Sequence, residues 1–578
     1  MIFSPLPIGE MVNQNPPIAL ENIMRLIAVV LGLCFATSAF GQAPPKKPLA
    51  FQNGVVVCVS PPAADVGLEI LQKGGNAVDA AVAVGFVQAV TWPEAGNVGG
   101  GGFMIVSPGH GKEPVVIDYR ETAPAAATAE MFAKSIDFYS LKVAGVPGTV
   151  RGFALAHKKF GKLPWKDVVL PAVRLAEDGF AINDALAKGL NGIIADPKTK
   201  DPEFRRIFSK AKGTWNAGDK LVQADLGKTL RAVAENGPDS FYLGANAELV
   251  AKGMAANGGL MTQADLAKYK AKVRAPIHGT YRGYDVYAPP PPCSGGIVLV
   301  EMLNVLENFD LKKNPRYSPE TVHLMAETMR RAYLDRARHL GDGDFVEIPD
   351  YLTNKDYAKK VAGTIEPAKA TKSEALAPEL SIADGGGETT HYSVADKDGM
   401  TVSNTYTIEN GYGCRVVIPG TGYILNNEMT DFNHRPGTTD RTGRIGTPAN
   451  VVAPGKRMLS SQCPTLIAHD GKVTLVTGSP GGRTIINTVL CIVVNRIDYG
   501  MDVQTAVDAP RMHQQWFPDR IAMEGSDEFE VLAKRLAGMG HTVVKLKQGD
   551  GHSIAIDPKT GHKTAGVDHR RDGKAAGY

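Results

Sequence analysis

A large globular chain of α/β class is what the sequence predicts, on three observations. Of its 578 residues, 43% are hydrophobic and 21% charged, enough for a sizeable core and incompatible with disorder throughout. Apolar residues recur at helical spacing through the first part and the middle of the chain. After Thr389 they alternate at the strand period of two. On length alone three or four domains of ~150 residues are expected, although large α/β folds exceed that size. With 63 basic against 60 acidic residues and a net charge of +3, there is no single-sign surface to steer nucleic acid or an anionic membrane. A small-molecule substrate is expected.

The first element is a leader. From Met24 the chain reads MRLIAVVLGLCFATSAFGQAPPKKP: one arginine, an apolar run over 26–35, then small residues before a proline-rich start. Residues 1–41 therefore read as a secretory signal-peptide region, with Met24 as an alternative start. The apolar run falls short of the ~20 residues a membrane span needs. A periplasmic or secreted protein with no membrane span in its mature form is expected. Beyond the leader lie Cys58, Cys293, Cys414, Cys463 and Cys491, an odd number without metal-type spacing. Neither a disulfide framework nor a metal is expected.

Apolar spacing after Pro62 predicts a helix over 64–73, closed by Gly74 and Gly75. A second helix, from near Asn76 to before Pro93, is apolar around its whole circumference, so it should lie between layers. The glycines at 99–102 permit close backbone approach; lacking a Lys-Ser/Thr ending, they do not read as a phosphate loop. Residues 123–362 are mostly helical, with amphipathic segments such as PETVHLMAETMRRAYLDRARHL, and are interrupted by the turn APPPPCSGG at 288–296. Over 366–388 the composition shifts to Ala, Pro, Ser and Lys and then Gly, an exposed connection. Short strands then return, followed by helices near 483–497 and 526–539.

The connection ends abruptly at GGGETTHYSV, residues 385–394. The stretch THYSVADKDGMTVSNTYTI alternates around Lys397, Asp398 and Gly399, which suits a three-residue hairpin loop with Gly399 left-handed. That register sets Val394 opposite Val402 and Thr389 opposite Thr407, with Cβ atoms roughly 5 Å apart. Two hydroxyls then meet at the strand's end. A threonine whose own α-amine is free carries a general base on the same residue; otherwise both are ordinary β-branched strand residues.

Eight blocks in order carry a resemblance: GGNAVDAAVAVGF (74–86), AGNVGGGGFM (95–104), IDYRETAP (117–124), VPGTVRG (146–152), ETTHYSV (388–394), LNNEMTDF (425–432), MLSSQCPT (458–465) and GSPGGRTI (478–485). Together they resemble the γ-glutamyltransferase family of N-terminal nucleophile hydrolases over nearly all of the mature chain. The resemblance implies a four-layer αββα sandwich built from two self-cleaved subunits. Cleavage between Glu388 and Thr389 would give a large subunit, 42–388, and a small catalytic subunit, 389–578, held as a heterodimer in one intertwined domain. It also implies cleavage of glutathione and other γ-glutamyl compounds through an acyl-threonine, with transfer to water or an amine and no cofactor. Thr389 matches the nucleophile and Thr407 its hydrogen-bonding partner. Gly481 and Gly482 match the oxyanion hole. Arg120, Ser460 and Ser461 match the partners of the donor's α-carboxylate, and Glu428 and Asp431 those of its α-ammonium.

Two alternatives stand beside this reading. Relatives with the same architecture cleave glutaryl groups from β-lactams, but such substrates have no ammonium for Glu428 and Asp431. An uncleaved binding paralogue is the other, against which Thr389, Thr407 and the glycine pair count. One departure is visible. Two residues after Thr407, where many relatives carry an asparagine that holds the carboxylate and ties to an aromatic on a lid, this chain has Glu409. Residues 431–460 are long enough for the lid but contain no Tyr, Trp or Phe after Phe432. Glu409 is therefore expected either to turn toward Arg120 or Arg441 or to weaken donor binding, unless Asn410 takes the role by a one-residue shift.

Overall fold

Residues 48–377, 389–439, 446–526 and 528–578 are described by a computed structural model. The leader region, Glu388 and Arg441 lie outside the described residues. Two seven-stranded antiparallel sheets form the centre. One runs in the order Lys574–Gly577, Val55–Cys58, Thr390–Ala395, Thr401–Thr407, Gly101–Ser107, Val115–Asp118, Lys272–Arg274. The other runs Leu49–Phe51, Lys563–Val567, His552–Ile556, Lys472–Thr477, Thr465–His469, Tyr284–Ala288, Ile277–Tyr281.

The strand period of two builds the layers. Val55 and Val57 point into a core that also takes Phe103, Ile105, Leu466, Val476 and Ile554, drawn from both sheets. Val56 and Cys58 point the other way, toward the helices Pro61–Gln72, Ala77–Thr91 and Thr149–Phe160. The second sheet's outer face packs on Gly295–Leu306, Pro319–His339 and Thr484–Ile497. Helix, sheet, sheet, helix is the αββα order. Pro48–Tyr578 is one unit, which replaces the three or four domains expected from length.

The helix Ala77–Thr91 begins at a capping box in which the Asn76 side chain accepts from the Val78 and Asp79 amides while Asp79 accepts from Asn76 N–H. Every one of its residues is buried, as its uniform apolarity requires. Its one close approach is at Gly85, where a Cβ would come within 2.3 Å of the Phe153 ring. The helix Pro319–His339 departs from expectation. Its sequence reads amphipathic, yet most of its residues are buried between neighbouring helices. Some of its charges pair within the helix, Glu327 with Arg330 and Arg331, and others are met by partners from elsewhere, Arg330 by Asp519.

Candidate active site

The expected hairpin is present, with Val394 opposite Val402 and Thr390 opposite Tyr406, and Gly399 has φ +88°. One step beyond Thr390, half-buried Thr389 reaches the level of Thr407. Thr407 sits at the end of its strand because the glycine run lets the neighbouring strand press against it. A Cβ on Gly100 would lie 2.0 Å from the Thr407 carbonyl oxygen. The same carbonyl accepts from Asn97 Nδ2 at 2.9 Å, and Asn97 Oδ1 accepts from the Gly100 amide at 2.9 Å. Chain reversal follows at once: the Glu409 amide donates to Thr407 Oγ1 at 2.7 Å, with Glu409 at φ +73°.

Thr389 and Thr407 line one cleft together with Arg120, Glu409, Asp431, Ser460, Ser461 and Gly482. Glu428 lies behind it, fully buried at the start of the turn Glu428–Asp431. Gly481 and Gly482, at φ +125° and +55°, form the turn that leads into the helix Thr484–Ile497. Such angles suit glycine, and a Cβ on Gly481 would meet Thr484 Oγ1 at 2.5 Å.

The charges in the cleft pair with one another. Buried Arg120 holds Glu428 through Nη1 at 2.5 Å, Asp431 through Nη2 and Glu121 at 3.4 Å, and its Nε donates to the Met458 carbonyl at 3.3 Å. The residues expected to divide between a carboxylate and an ammonium are thus one ion-paired cluster. Burial disfavours the Arg120 charge, but the fields of Glu428, Glu121, Asp431 and Glu409 outweigh it and hold its pKa above the ordinary value. Burial pushes Glu428 up to about 7, with Arg120 pulling it down, Asp431 raising it and the Thr407 hydroxyl lowering it. Burial likewise carries Glu121 well above the usual carboxylate range.

Glu409 faces this cluster. Its carboxylate lies within 4.8 Å of those of Glu428 and Asp431, and it is a source of the field on Arg120. Of the two arginines named for it, Arg120 feels its charge, and Arg441 lies outside the described residues. Asn410 does not line the cleft; its amide donates to Asn427 Oδ1 at 3.1 Å. The described part of residues 431–460 is drawn back on itself, since Asn450 donates to the Asp431 carbonyl at 2.7 Å and accepts from the Leu459 amide at 2.9 Å.

Sequence reasoning missed Arg336, Asn450 and Gln462, all of which line the cleft. Arg336 belongs to the helix Pro319–His339, and five charged residues buried in one helix, Glu327, Arg330, Arg331, Asp335 and Arg336, are a signal of paired or functional charge. Asn450 carries no comparable mark in the sequence.

A sequence model described as gamma-glutamyltranspeptidase matches residues 63–578. The glutathione hydrolase proenzyme of Escherichia coli strain K12 is 46% identical over 575 residues, covering 96% of this chain and 98% of its own. That of Pseudomonas aeruginosa is 40% identical over 93% of this chain and 96% of its own. Among solved structures, a cephalosporin acylase from Bacillus halodurans superposes with a TM-score of 0.82 at 27% identity, covering 93% of this chain and 99% of that one. The Helicobacter pylori gamma-glutamyltranspeptidase gives a TM-score of 0.52 at 42% identity, over 54% of this chain and 91% of that one.

Proposed function

Since this chain belongs to the gamma-glutamyltranspeptidase family and is an N-terminal nucleophile hydrolase that matures from a precursor into a heterodimer, we propose the residues by which it acts. It is a γ-glutamyltransferase and glutathione hydrolase. Thr389 is the nucleophile, first on its own chain. Its Oγ adds to the Glu388 carbonyl, the Thr389 nitrogen leaves, and an ester results. Water then hydrolyses that ester, freeing a carboxylate on Glu388 and an α-amine on Thr389. The large subunit is 42–388 and the small one 389–578.

In the mature enzyme the Thr389 amine takes the hydroxyl proton while Oγ adds to the γ-carbonyl of the donor. The proton passes to the departing amine, leaving a γ-glutamyl ester on Thr389. Water or an acceptor amine adds to that ester, and Oγ regains its proton as the product leaves. Thr407 orients the nucleophile. The amides at Gly481 and Gly482 receive the negative charge that develops on the carbonyl oxygen, a contribution worth about 2.7–4 kcal/mol per donor where it has been removed in other enzymes.

For the donor's amino acid end, Arg120, Ser460 and Ser461 take the carboxylate, and Glu428 and Asp431 the ammonium. The carboxylates of Glu428 and Asp431, within 4.8 Å of each other, support a substrate that brings a positive charge, and so a γ-glutamyl over a glutaryl donor. Among the described residues no helix is long and apolar enough to cross a membrane. The leader-like residues 1–41 support a periplasmic or secreted enzyme. The observation that carries the reading is the meeting of Thr389 and Thr407 in one cleft with Arg120, Asp431, Ser460 and Ser461. A γ-glutamyl anilide assay on purified protein, with glutaryl anilide beside it, tests it. Turnover of the glutaryl compound alone would overturn the γ-glutamyl assignment.

A further inference from the structure

The turn APPPPCSGG and the buried Arg336 converge on the two serines of the cleft. The turn is stitched to the segment that holds them. Cys293 and Ser460 form a parallel bridge, the Ser460 amide donates to the Pro292 carbonyl at 2.9 Å, and the Ser294 amide donates to the Ser460 carbonyl at 2.8 Å. Ser294 Oγ donates to that same carbonyl at 2.6 Å, and Cys293 Sγ donates to the Gln462 carbonyl at 2.6 Å. Into this junction the helix Pro319–His339 sends Arg336, only 7% exposed. Its Nε donates to Ser294 Oγ at 2.9 Å and its Nη2 to Ser461 Oγ at 2.8 Å.

The proton count at the serines gives this arrangement its consequence. A hydroxyl has one donor and two acceptor sites. Ser461 Oγ accepts from Arg336, and Ser460 Oγ accepts from the Gln462 amide at 3.1 Å. With an acceptor site of each oxygen filled by a protein N–H, each hydroxyl keeps its proton to donate to an anion bound in the cleft. Arg120, which lines the cleft with Arg336 and Arg483, is engaged by three carboxylates. Arg336 instead directs its bonds to hydroxyl oxygens, and its charge lies in the same cleft.

We infer that Arg336, braced by Ser294, is a positioning residue for the donor's α-carboxylate, acting through Ser461. The inference rests on the donor assignment proposed above. Its planar fork spans Ser294 and Ser461 at once, which a lysine nitrogen on a flexible stem does not reproduce.

The test compares Arg336→Lys, Ser294→Ala, Ser461→Ala and the Arg336→Lys, Ser461→Ala double variant in processed enzyme. The readouts are KM and kcat for a γ-glutamyl anilide and the inhibition constants of L-glutamate and of 4-aminobutanoate, which lacks the α-carboxylate. Arg336→Lys should raise KM and the L-glutamate constant about tenfold, the scale of one hydrogen bond to a charged group. It should leave kcat within about twofold and the 4-aminobutanoate constant unchanged, and the double variant should be no worse than Ser461→Ala alone. Equal weakening of both inhibitors, a loss confined to kcat, or additive losses in the double variant would overturn the inference. If Arg336→Lys fails to fold or process, Ser294→Ala decides by the same readouts, with a smaller shift in the same direction expected. Inactive wild type would fault the donor assignment, whereas active wild type indifferent to these substitutions would fault only the role of Arg336.

Discussion

Replacing Arg120 separates its two tasks, binding the donor and neutralising buried acids. Its guanidinium spans Glu428 at 2.5 Å, Asp431, Glu121 at 3.4 Å and the Met458 carbonyl at 3.3 Å, all from a buried position. In Arg120→Lys a single nitrogen keeps the charge but cannot span Glu428 and Asp431 as the fork does. Losing one such bond to a charged partner is worth roughly 1.5–3 kcal/mol, so donor KM should rise about 10- to 150-fold. Arg120→Met removes the charge altogether, and stranding buried acids costs about 3–5 kcal/mol of stability at neutral pH. The pH dependence has a definite sign. Burial already raises the Glu428 pKa to about 7, and loss of the arginine raises it further. A carboxyl whose pKa is raised by folding imposes no penalty below its unfolded value of about 4.3, and the penalty grows as pH climbs toward the folded value. Thermal unfolding should therefore show the methionine variant closest to wild type near about pH 4.5 and furthest from it above about pH 7. An unchanged KM in Arg120→Lys, or the same melting difference at both pH values, would refute the reasoning.

Three further outcomes are expected. Glu409→Asn should lower donor KM and raise the ratio of transfer to hydrolysis, because it removes a charge that repels the donor's α-carboxylate; the φ of +73° suits asparagine, so the backbone should not be strained. No change in either quantity would take Glu409 out of donor recognition. Gly482→Ala keeps the amide but strains it at φ +55° by about 1–2 kcal/mol, so kcat should fall about 5- to 30-fold with a smaller effect on KM as the donor to the developing oxyanion is displaced. Gly85→Ala should leave kcat intact at low temperature but lower the melting temperature, since overpacking against Phe153 costs about 1–3 kcal/mol.

The hairpin was legible down to its register, because a three-residue loop and a period of two leave no freedom once Gly399 takes the left-handed turn. The buried helix Ala77–Thr91 was legible for a similar reason, its apolarity admitting no solvent face. Residue types alone did not reveal that Arg120, Glu428 and Asp431 hold one another, because motifs separated by some three hundred residues meet only through the sheet order. The helix Pro319–His339 misled for the opposite reason: its polar face is covered, and its charges are answered by partners elsewhere in the chain, as Arg330 is by Asp519. Arg336 was hidden with them.

Everything in this account depends on Thr389 becoming a chain terminus. Intact mass spectrometry of the purified protein, with N-terminal sequencing of the smaller chain, tests that most directly. Two chains are expected, the smaller beginning TTHYSV and ending at Tyr578, and Thr389→Ala should remain one uncut chain without γ-glutamyl hydrolase activity. A different first residue, an uncut yet active wild type, or cleavage in Thr389→Ala would contradict the account.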